Sequence, residues 1–281
     1  MTRSGAPCRS AAWSHDDQTR VALEASPAQR APAIRTFADW DDDRPGFLEI
    51  DLVAHGGEST SGDGRPLGSM HTLVLTDIRT QWTECVALPN RGEQAVSMAI
   101  AHARTLLPVP ILGLDSDNGG EFINHHLVRY CTREEITFTR CRPYKKNDQC
   151  GCPLGRVEQK NDAIVRQIVG DDRYEGEVAH AALMARYLPL RLFTNYFQPS
   201  VRLVSKQHEG KQVTKRYDVA QTPYERVLAA PTVSETDKER LQVEYLTLNP
   251  VALRRQIEVA QEALWQLTGG RITREATTLH E

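Results

Sequence analysis

The amino-acid sequence predicts an α/β fold in which a mixed β-sheet is flanked by helices. Short runs of apolar and β-branched residues alternate with segments whose apolar residues recur every three or four positions. Between residues 47 and 168 the predicted order is strand, hairpin, helix, strand, helix, strand, loop and helix. Such alternation is typical of a sheet that carries helices on its faces, because each element must bury its apolar side against another.

Local patterns define the first half of this order. Residues 1–35 are rich in Ala, Arg, Ser and Pro and are predicted to form a poorly ordered arm. The next predicted elements are a strand over 47–53, a glycine-rich loop over 56–68, and an antiparallel hairpin of 71–78 and 82–88. Apolar residues at helical spacing predict a helix over 91–107, which Pro108 and Pro110 terminate.

The alternation continues up to residue 168. The predicted elements are a strand over 110–114, a helix over 122–135, a strand over 136–140 and a polar loop over 144–155. A further helix is predicted because five residues share one face: Val157, Asn161, Ile164, Val165 and Ile168.

Beyond residue 170 the patterns predict a helix over 178–196 and then short strands with turns over 200–228. This second region ends in Thr222-Pro223-Tyr224. The chain closes with a helix whose N-cap is Asn249, whose first residue is Pro250 and whose stop signal is Gly269.

The composition excludes several classes of protein. The 281 residues are 40% apolar and 25% charged, which is ordinary for a globular protein. No apolar run reaches the length of a membrane span, and the N-terminal residues lack the apolar core of a secretory signal, so we expect a cytoplasmic protein. Four of the six cysteines lie within 131–152, near His125 and His126, but no C-x-x-C or H-x-x-x-H pair is present. We therefore expect reduced thiols rather than a zinc site.

Charge is distributed unevenly although the net charge is only −3. Residues 39–63 hold eight acids and one base, whereas residues 202–216 hold five bases and one acid. Four further bases lie within 140–146. This separation fits an acidic metal site flanked by phosphate-binding patches, but charge alone favours an ordinary solvated surface.

Three acids stand out by their position. Asp51 lies inside an apolar strand, where a carboxylate is costly unless it is paired or binds metal. Asp117 follows a buried strand, and Glu158 opens an amphipathic helix. Each of the last two also has a structural explanation, since Asp117 can stabilise a turn and Glu158 a helix N-terminus. Asp115 and Asp77 compete for the same role.

Four segments resemble the integrase-catalytic-domain transposases of bacterial insertion sequences, which are DDE recombinases with an RNase H-like fold. The segments are 47–55 (FLEIDLVAH), 114–122 (LDSDNGGEF), 146–149 (KNDQ) and 157–161 (VEQKN). Thr222-Pro223-Tyr224 is similar to a motif that follows the catalytic domain in this family. The resemblance covers about residues 36–230 and is specific because all segments occur in the family's order. It implies that Asp51, Asp117 and Glu158 are the catalytic, metal-binding acids, which demotes Asp115 and Asp77.

The resemblance implies a domain organisation and a chemistry. Together with the patterns above, it predicts a poorly ordered arm over 1–35, an RNase H-like integrase catalytic domain over 36–197, a small basic β-rich segment over 198–230 and a helical tail over 231–281. Three carboxylates can hold two Mg²⁺ ions, for which Mn²⁺ can substitute, and these drive cleavage and joining of DNA. Expected partners are transposon ends, target DNA and further copies of the chain on DNA, which would associate it with the nucleoid. Bases expected to contact DNA are Arg142, Lys145, Lys146, Lys160, Lys215 and Arg216.

Two departures from the family pattern define the alternatives. The separation of Asp117 and Glu158 is 158 − 117 = 41 positions, a few more than usual, and the excess lies in 150–156. The first 35 residues show no helix-turn-helix pattern of the kind that reads transposon ends. The main alternative is therefore a truncated, inactive remnant that binds DNA or a full-length partner as an inhibitor. A nuclease that cuts without joining is a third reading. We expect the apolar face of the helix to keep Glu158 in the site despite the longer loop.

Overall fold

The computed structural model describes residues 33–34, 44–56, 70–116, 125–140, 160–166, 169–170, 172–209 and 212–267. The catalytic-domain elements are β1 (Ala33–Ile34), β2 (Phe47–His55), β3 (Met70–Asp77), β4 (Thr83–Leu88), α1 (Glu93–Leu106), β5 (Gly113–Ser116), α2 (His125–Arg133), β6 (Thr137–Arg140), a π-helix (Asn161–Arg166) and α3 (Gly176–Phe197). The following elements are β7 (Leu203–Glu209), β8 (Gln212–Tyr217), α4 (Pro223–Ala229), α5 (Glu235–Thr247) and α6 (Pro250–Leu267).

Six strands form one mixed sheet in the order β1-β6-β5-β2-β3-β4. Strands β2, β3 and β4 form an antiparallel meander, whereas β5 and β6 run parallel to β2 on its other side. The RNase H-like fold has three antiparallel strands followed by two parallel ones, and the first of these five strands lies in the centre. Here β2 has that central position. The predicted fold class, a mixed sheet flanked by helices, is therefore confirmed.

Helices cover both faces of the sheet and create two apolar layers. On one face, α1 and α2 bury Val96, Ile100 and Leu127 with Leu48 and Ile50 of the central strand. On the other face, the π-helix, α3 and α6 contribute to a second cluster that includes Ile164, Leu183 and Leu264 together with Val53 and Val74. Odd-numbered positions of β2 face this second cluster, since side chains alternate along a strand. Among the described residues, no helix is long and apolar enough to cross a membrane.

The turn that enters β2 requires a glycine. Gly46 has a φ of +113°, and a Cβ at this position would lie 2.6 Å from the backbone oxygen of Pro110. Only glycine adopts this backbone conformation without strain and allows the close approach. The Gly46 N–H donates to the buried Asp77 Oδ2 over 2.7 Å, which ties the start of β2 to the end of β3.

Helix α3 seals the edge strand β4 with buried polar side chains. Asn195 accepts a hydrogen bond from the Thr83 N–H over 2.9 Å and donates to the Thr83 carbonyl over 2.8 Å. The amide thus replaces a neighbouring strand and satisfies backbone groups that would otherwise be unpaired. Glu84 follows Thr83 on β4. Arg191 of α3 forms a bidentate ion pair with its carboxylate over 2.7 and 2.8 Å.

Four local predictions need correction. Ala33 and Ile34, placed in the disordered arm, form β1 and pair with β6 in parallel. The strand predicted over 110–114 instead spans Gly113–Ser116, and it ends closer to Asp117. Residues 223–229, predicted as strand and turn, form α4, whose start carries a reciprocal cap between Thr222 and Glu225. The helix predicted after Glu158 is described as a π-helix over Asn161–Arg166. The other predicted strands and helices occur with small shifts of their ends.

Candidate metal and phosphoryl-transfer site

Asp51 lies in the middle of the central strand β2, on the face that the π-helix and α3 cover. Its neighbour across the antiparallel pair is Val74 of β3. The carboxylate is half-buried, and its Oδ1 accepts a hydrogen bond from the Leu52 N–H over 2.8 Å. An acid held at the centre of a sheet by a rigid strand offers hard oxygen ligands in a fixed position, which is what Mg²⁺ prefers.

Strand β5 leads the chain towards the second predicted acid. It runs parallel to β2, and its last residue, Ser116, is the register partner of Ile50. The residue that follows Ile50 in the sequence is Asp51, and the residue that follows Ser116 is Asp117. Asp117 lies outside the described residues, so its position beside Asp51 stays a prediction. The described strands support it, because parallel neighbours in register bring equivalent positions to one row of the sheet.

The π-helix contributes buried residues to the apolar cluster on this face of the sheet. Ile164 is 3% exposed and Val165 is fully buried, and both belong to the cluster that contains Val53 and Val74. Burial of two such side chains stabilises this placement by roughly 1.5–3 kcal/mol each. Two positions of the predicted apolar face are thus confirmed as buried. Val157, Glu158 and the loop over 150–156 lie outside the described residues, and the role of Glu158 stays a prediction.

The two competing acids have structural partners. Asp77 is buried and accepts hydrogen bonds from the Gly46 N–H, the Thr80 N–H and the Thr80 hydroxyl over 2.7–2.8 Å. Burial raises the pKa of Asp77, and these hydrogen bonds oppose the shift. Asp115 is 3% exposed and accepts a hydrogen bond from the Thr139 hydroxyl over 2.5 Å. Both acids therefore stabilise the sheet, which supports the choice of Asp51 over them.

The predicted DNA-contacting bases fall into three groups. Arg142, Lys145 and Lys146 lie outside the described residues. Lys160 is partly buried beside the edge strand, and burial lowers its pKa to about 8. Lys215 and Arg216 are exposed on β8. A phosphate contact by Lys160 would need its ammonium to reach outward, whereas Lys215 and Arg216 are already open to solvent.

A buried polar chain at the far end of β2 was not predicted. His55, on the same strand as Asp51, shares a hydrogen bond of 2.7 Å between its Nε2 and the Thr72 hydroxyl. The Thr72 hydroxyl in turn lies 2.5 Å from the Tyr187 hydroxyl of α3. The His55 ring also makes an edge contact with Tyr174, at 5.7 Å between ring centroids. These hydrogen bonds join β2 to α3, and the ring contact joins β2 to Tyr174, which follows the π-helix. The only sequence signal was a histidine in an apolar strand.

His55 gives the fold a pH dependence. Burial lowers its pKa to about 4, with a smaller contribution from His71. An unfolded histidine titrates near 6.5, so the folded state binds fewer protons between these values. Stability is complete above about pH 6.5 and is lost as the pH falls towards 4, by up to about 3 kcal/mol. We expect the melting temperature of the wild type to drop more between about pH 7.5 and about pH 5 than that of His55→Gln. An equal drop in both proteins would contradict this assignment.

The cysteines do not form a metal centre within the described chain. Cys85 and Cys131 are buried free thiols, and burial raises the pKa of both. Across the described ranges no group of three or more His, Cys, Asp or Glu side chains is placed to hold a metal ion. Asp117 and Glu158 lie outside these ranges, so the three-acid site stays a prediction. On the described side, the oxygen donor and rigid strand position of Asp51 fit a hard divalent cation.

No family model matches the chain, and a curated protein of unassigned function is similar to it. The chain is 44% identical over 209 residues to an uncharacterized protein, y4rM, of Sinorhizobium fredii (strain NBRC 101917 / NGR234). The match covers 74% of this chain and 57% of that protein, so the chain spans little more than half the length of its curated relative.

Two similar solved structures come from retroviral integration. The simian T-cell lymphotropic virus intasome, in complex with the PP2A regulatory subunit B56 gamma, matches with a TM-score of 0.41 and 16% identity. That match covers 60% of this chain and 53% of the intasome chain. The HTLV-2 integrase catalytic core domain in complex with magnesium matches with a TM-score of 0.37 and 16% identity, over 56% of this chain and 90% of that one. Because both scores are low, the fold assignment rests on the strand order described above.

Proposed function

We propose that this chain is the catalytic part of a DDE transposase, which cuts DNA at the ends of an insertion sequence and joins the exposed 3′-ends to target DNA. The observation that carries the proposal is the position of Asp51. It lies on the central strand of an RNase H-like sheet, one residue beyond the register pair of Ile50 and Ser116, and on the face whose apolar cluster includes residues of the π-helix. Asp117 and Glu158 complete the proposed site.

The three carboxylates would hold two divalent ions, Mg²⁺ or Mn²⁺. When bound, such ions activate an attacking water or 3′-hydroxyl and stabilise the leaving oxygen at phosphorus. The role of Asp51 is to supply oxygen ligands whose position is fixed by the pairing of β2 with β3. Strand β5 and the π-helix have the corresponding roles for Asp117 and Glu158. No histidine or covalent nucleophile is needed, which agrees with the neutral, structural role of His55.

Binding of DNA is proposed to come from the cationic groups rather than from the acids. Lys215 and Arg216 are exposed and can contact phosphates directly. Arg142, Lys145, Lys146 and Lys160 are proposed to line the approach to the acids. Phosphate contacts position the duplex and carry no sequence information by themselves. The sequence of the transposon ends would therefore be read elsewhere.

A strand-transfer assay tests the proposal. Linear DNA that carries the ends of the element is incubated with the protein, a target plasmid and either Mg²⁺ or Mn²⁺. We expect covalent joining of end DNA to target DNA, and no product when the metal is chelated, because the chemistry depends on bound ions. Binding of DNA without any product in either metal would favour the inactive-remnant alternative. Cleavage without joining would favour a nuclease.

A further inference from the structure

The hairpin of β7 and β8 forms a separate two-stranded sheet. It makes no extensive contact with other helices or strands in the part of the chain that the structure describes. Five of its residues are exposed: Ser205, Thr214, Lys215, Arg216 and Tyr217. An isolated two-stranded hairpin is at best marginally stable in water. Contacts at its base and with a binding partner would therefore stabilise it.

The base of the hairpin is fixed to the core by an ion-pair cluster. Arg226 of α4 is 7% exposed and donates to Asp218 Oδ2 over 2.6 Å and to the Ser200 carbonyl over 2.6 Å. Asp218 Oδ1 accepts a hydrogen bond from the Arg202 N–H over 2.5 Å. The buried Tyr224 inserts α4 into the main core. The hairpin is therefore held in a defined direction relative to the sheet that carries Asp51.

The hairpin carries two exposed, consecutive cations, Lys215 and Arg216, on β8. Lys206 and Lys215 are direct register partners, and Arg216 follows on β8 opposite Ser205. Like charges directly across a strand pair destabilise a hairpin. Lys215 and Arg216 form no ion pair with any described residue. An anionic partner with closely spaced charges would remove this repulsion.

The distribution of the charges over the two faces selects the partner. Lys215 and Arg216 are consecutive, so they lie on opposite faces of the ribbon. A membrane surface or an acidic protein surface would contact one face and leave the other charged face in water. A groove of duplex DNA has phosphates on both sides, and the major groove, about 12 Å wide, admits a two-stranded ribbon.

We infer that β7 and β8 form a ribbon that enters the major groove of duplex DNA, where Lys215 meets one phosphate row and Arg216 meets the other. The inference rests on the proposed function, in which duplex DNA is the substrate. It gives Arg226 and Asp218 a positioning role at the base of the ribbon.

Fluorescence anisotropy with labelled duplex DNA, in the absence of divalent metal, tests this assignment. The full chain is compared with the double variant Lys215→Ala and Arg216→Ala over a series of salt concentrations. Each lost phosphate contact should lower the slope of log affinity against log salt by about 0.9, so the double variant should lose nearly two units. The matched control is Arg254→Ala with Arg255→Ala, which removes two consecutive exposed charges from α6 and should leave the slope unchanged.

Duplex RNA separates insertion into a groove from contact with the outside of the helix. Its major groove is deep and narrow and does not admit a ribbon, so the wild type and the hairpin variant should bind it with similar affinity. An equal loss of affinity for DNA and RNA would overturn the groove assignment. An unchanged DNA slope together with normal strand transfer would overturn the ribbon and keep the proposed function. A flattened slope in the hairpin variant, together with no strand transfer by the wild type, would keep the ribbon and overturn the proposed function.

Discussion

Replacement of Asp51 by asparagine is expected to lower metal-dependent DNA cleavage and joining by at least about 10²–10³-fold, with little change in DNA affinity. Asparagine keeps the shape of the side chain but removes the charge that a divalent ion needs. The half-buried strand position tolerates the change, because the neutral amide is less costly to bury than the carboxylate. Cleavage products on a gel and anisotropy with the same DNA measure the two effects separately.

The matched control for this variant is Glu239→Gln, which removes an exposed carboxylate from α5. It should leave cleavage, joining and binding unchanged. If Asp51 acts in the chemistry alone, Asp51→Asn loses cleavage and joining but keeps its DNA affinity. A loss of DNA affinity as large as the loss of cleavage would show that Asp51 supports the binding surface or the fold rather than the chemistry.

Replacement of Arg191 by leucine is expected to lower the free energy of unfolding by about 3–5 kcal/mol. Glu84 has no solvent exposure, and Arg191 supplies two hydrogen bonds to its carboxylate and a third to the Leu106 carbonyl over 2.8 Å. Without Arg191, the Trp82 indole N–H, which donates to Glu84 over 2.7 Å, would be the remaining described partner of a buried charge. Urea unfolding at neutral pH measures the effect.

Two further variants identify the cause of this loss. The double variant Glu84→Gln with Arg191→Leu should recover part of the stability, because no charge then remains buried. Arg104→Leu breaks an exposed pair with Glu134 over 2.5 Å and should leave the melting temperature almost unchanged. If Arg191→Leu were no more harmful than Arg104→Leu, the pair between β4 and α3 would not contribute to the fold as described.

Most of the sheet and its helices could be predicted because their signals are local. The apolar run around Asp51, the paired runs of β3 and β4, and the Asn249 cap of α6 each depend on neighbouring residues. Strand β1 could not be predicted, since it consists of two residues that pair with β6, over one hundred positions away. Helix α4 differs from the predicted strands and turns although its signal is local: Thr222 and Glu225 form a reciprocal cap, and Pro223 is the first helical residue.

The candidate site could be predicted only in part. Asp51 can be identified from the local sequence alone, because it is an acid inside an apolar strand. Asp77 accepts hydrogen bonds from Gly46 and Thr80, which come together only when the meander folds. The local sequence therefore does not distinguish Asp77 from a catalytic acid, whereas the resemblance to a family does. The chain from His55 through Thr72 to Tyr187 joins residues separated by up to 115 positions, and no local pattern encodes it.

The position of a bound divalent ion shows whether Asp51 belongs to the metal site. Crystals of the chain soaked in Mn²⁺ can be measured by anomalous X-ray diffraction, which locates the ion without assumptions about its ligands. We expect an ion about 2 Å from a carboxylate oxygen of Asp51, shared with Asp117 or Glu158, and its loss in Asp51→Asn. An ion held by Glu49 and Asp115 without Asp51, or identical Mn²⁺ sites in the wild type and Asp51→Asn, would contradict it.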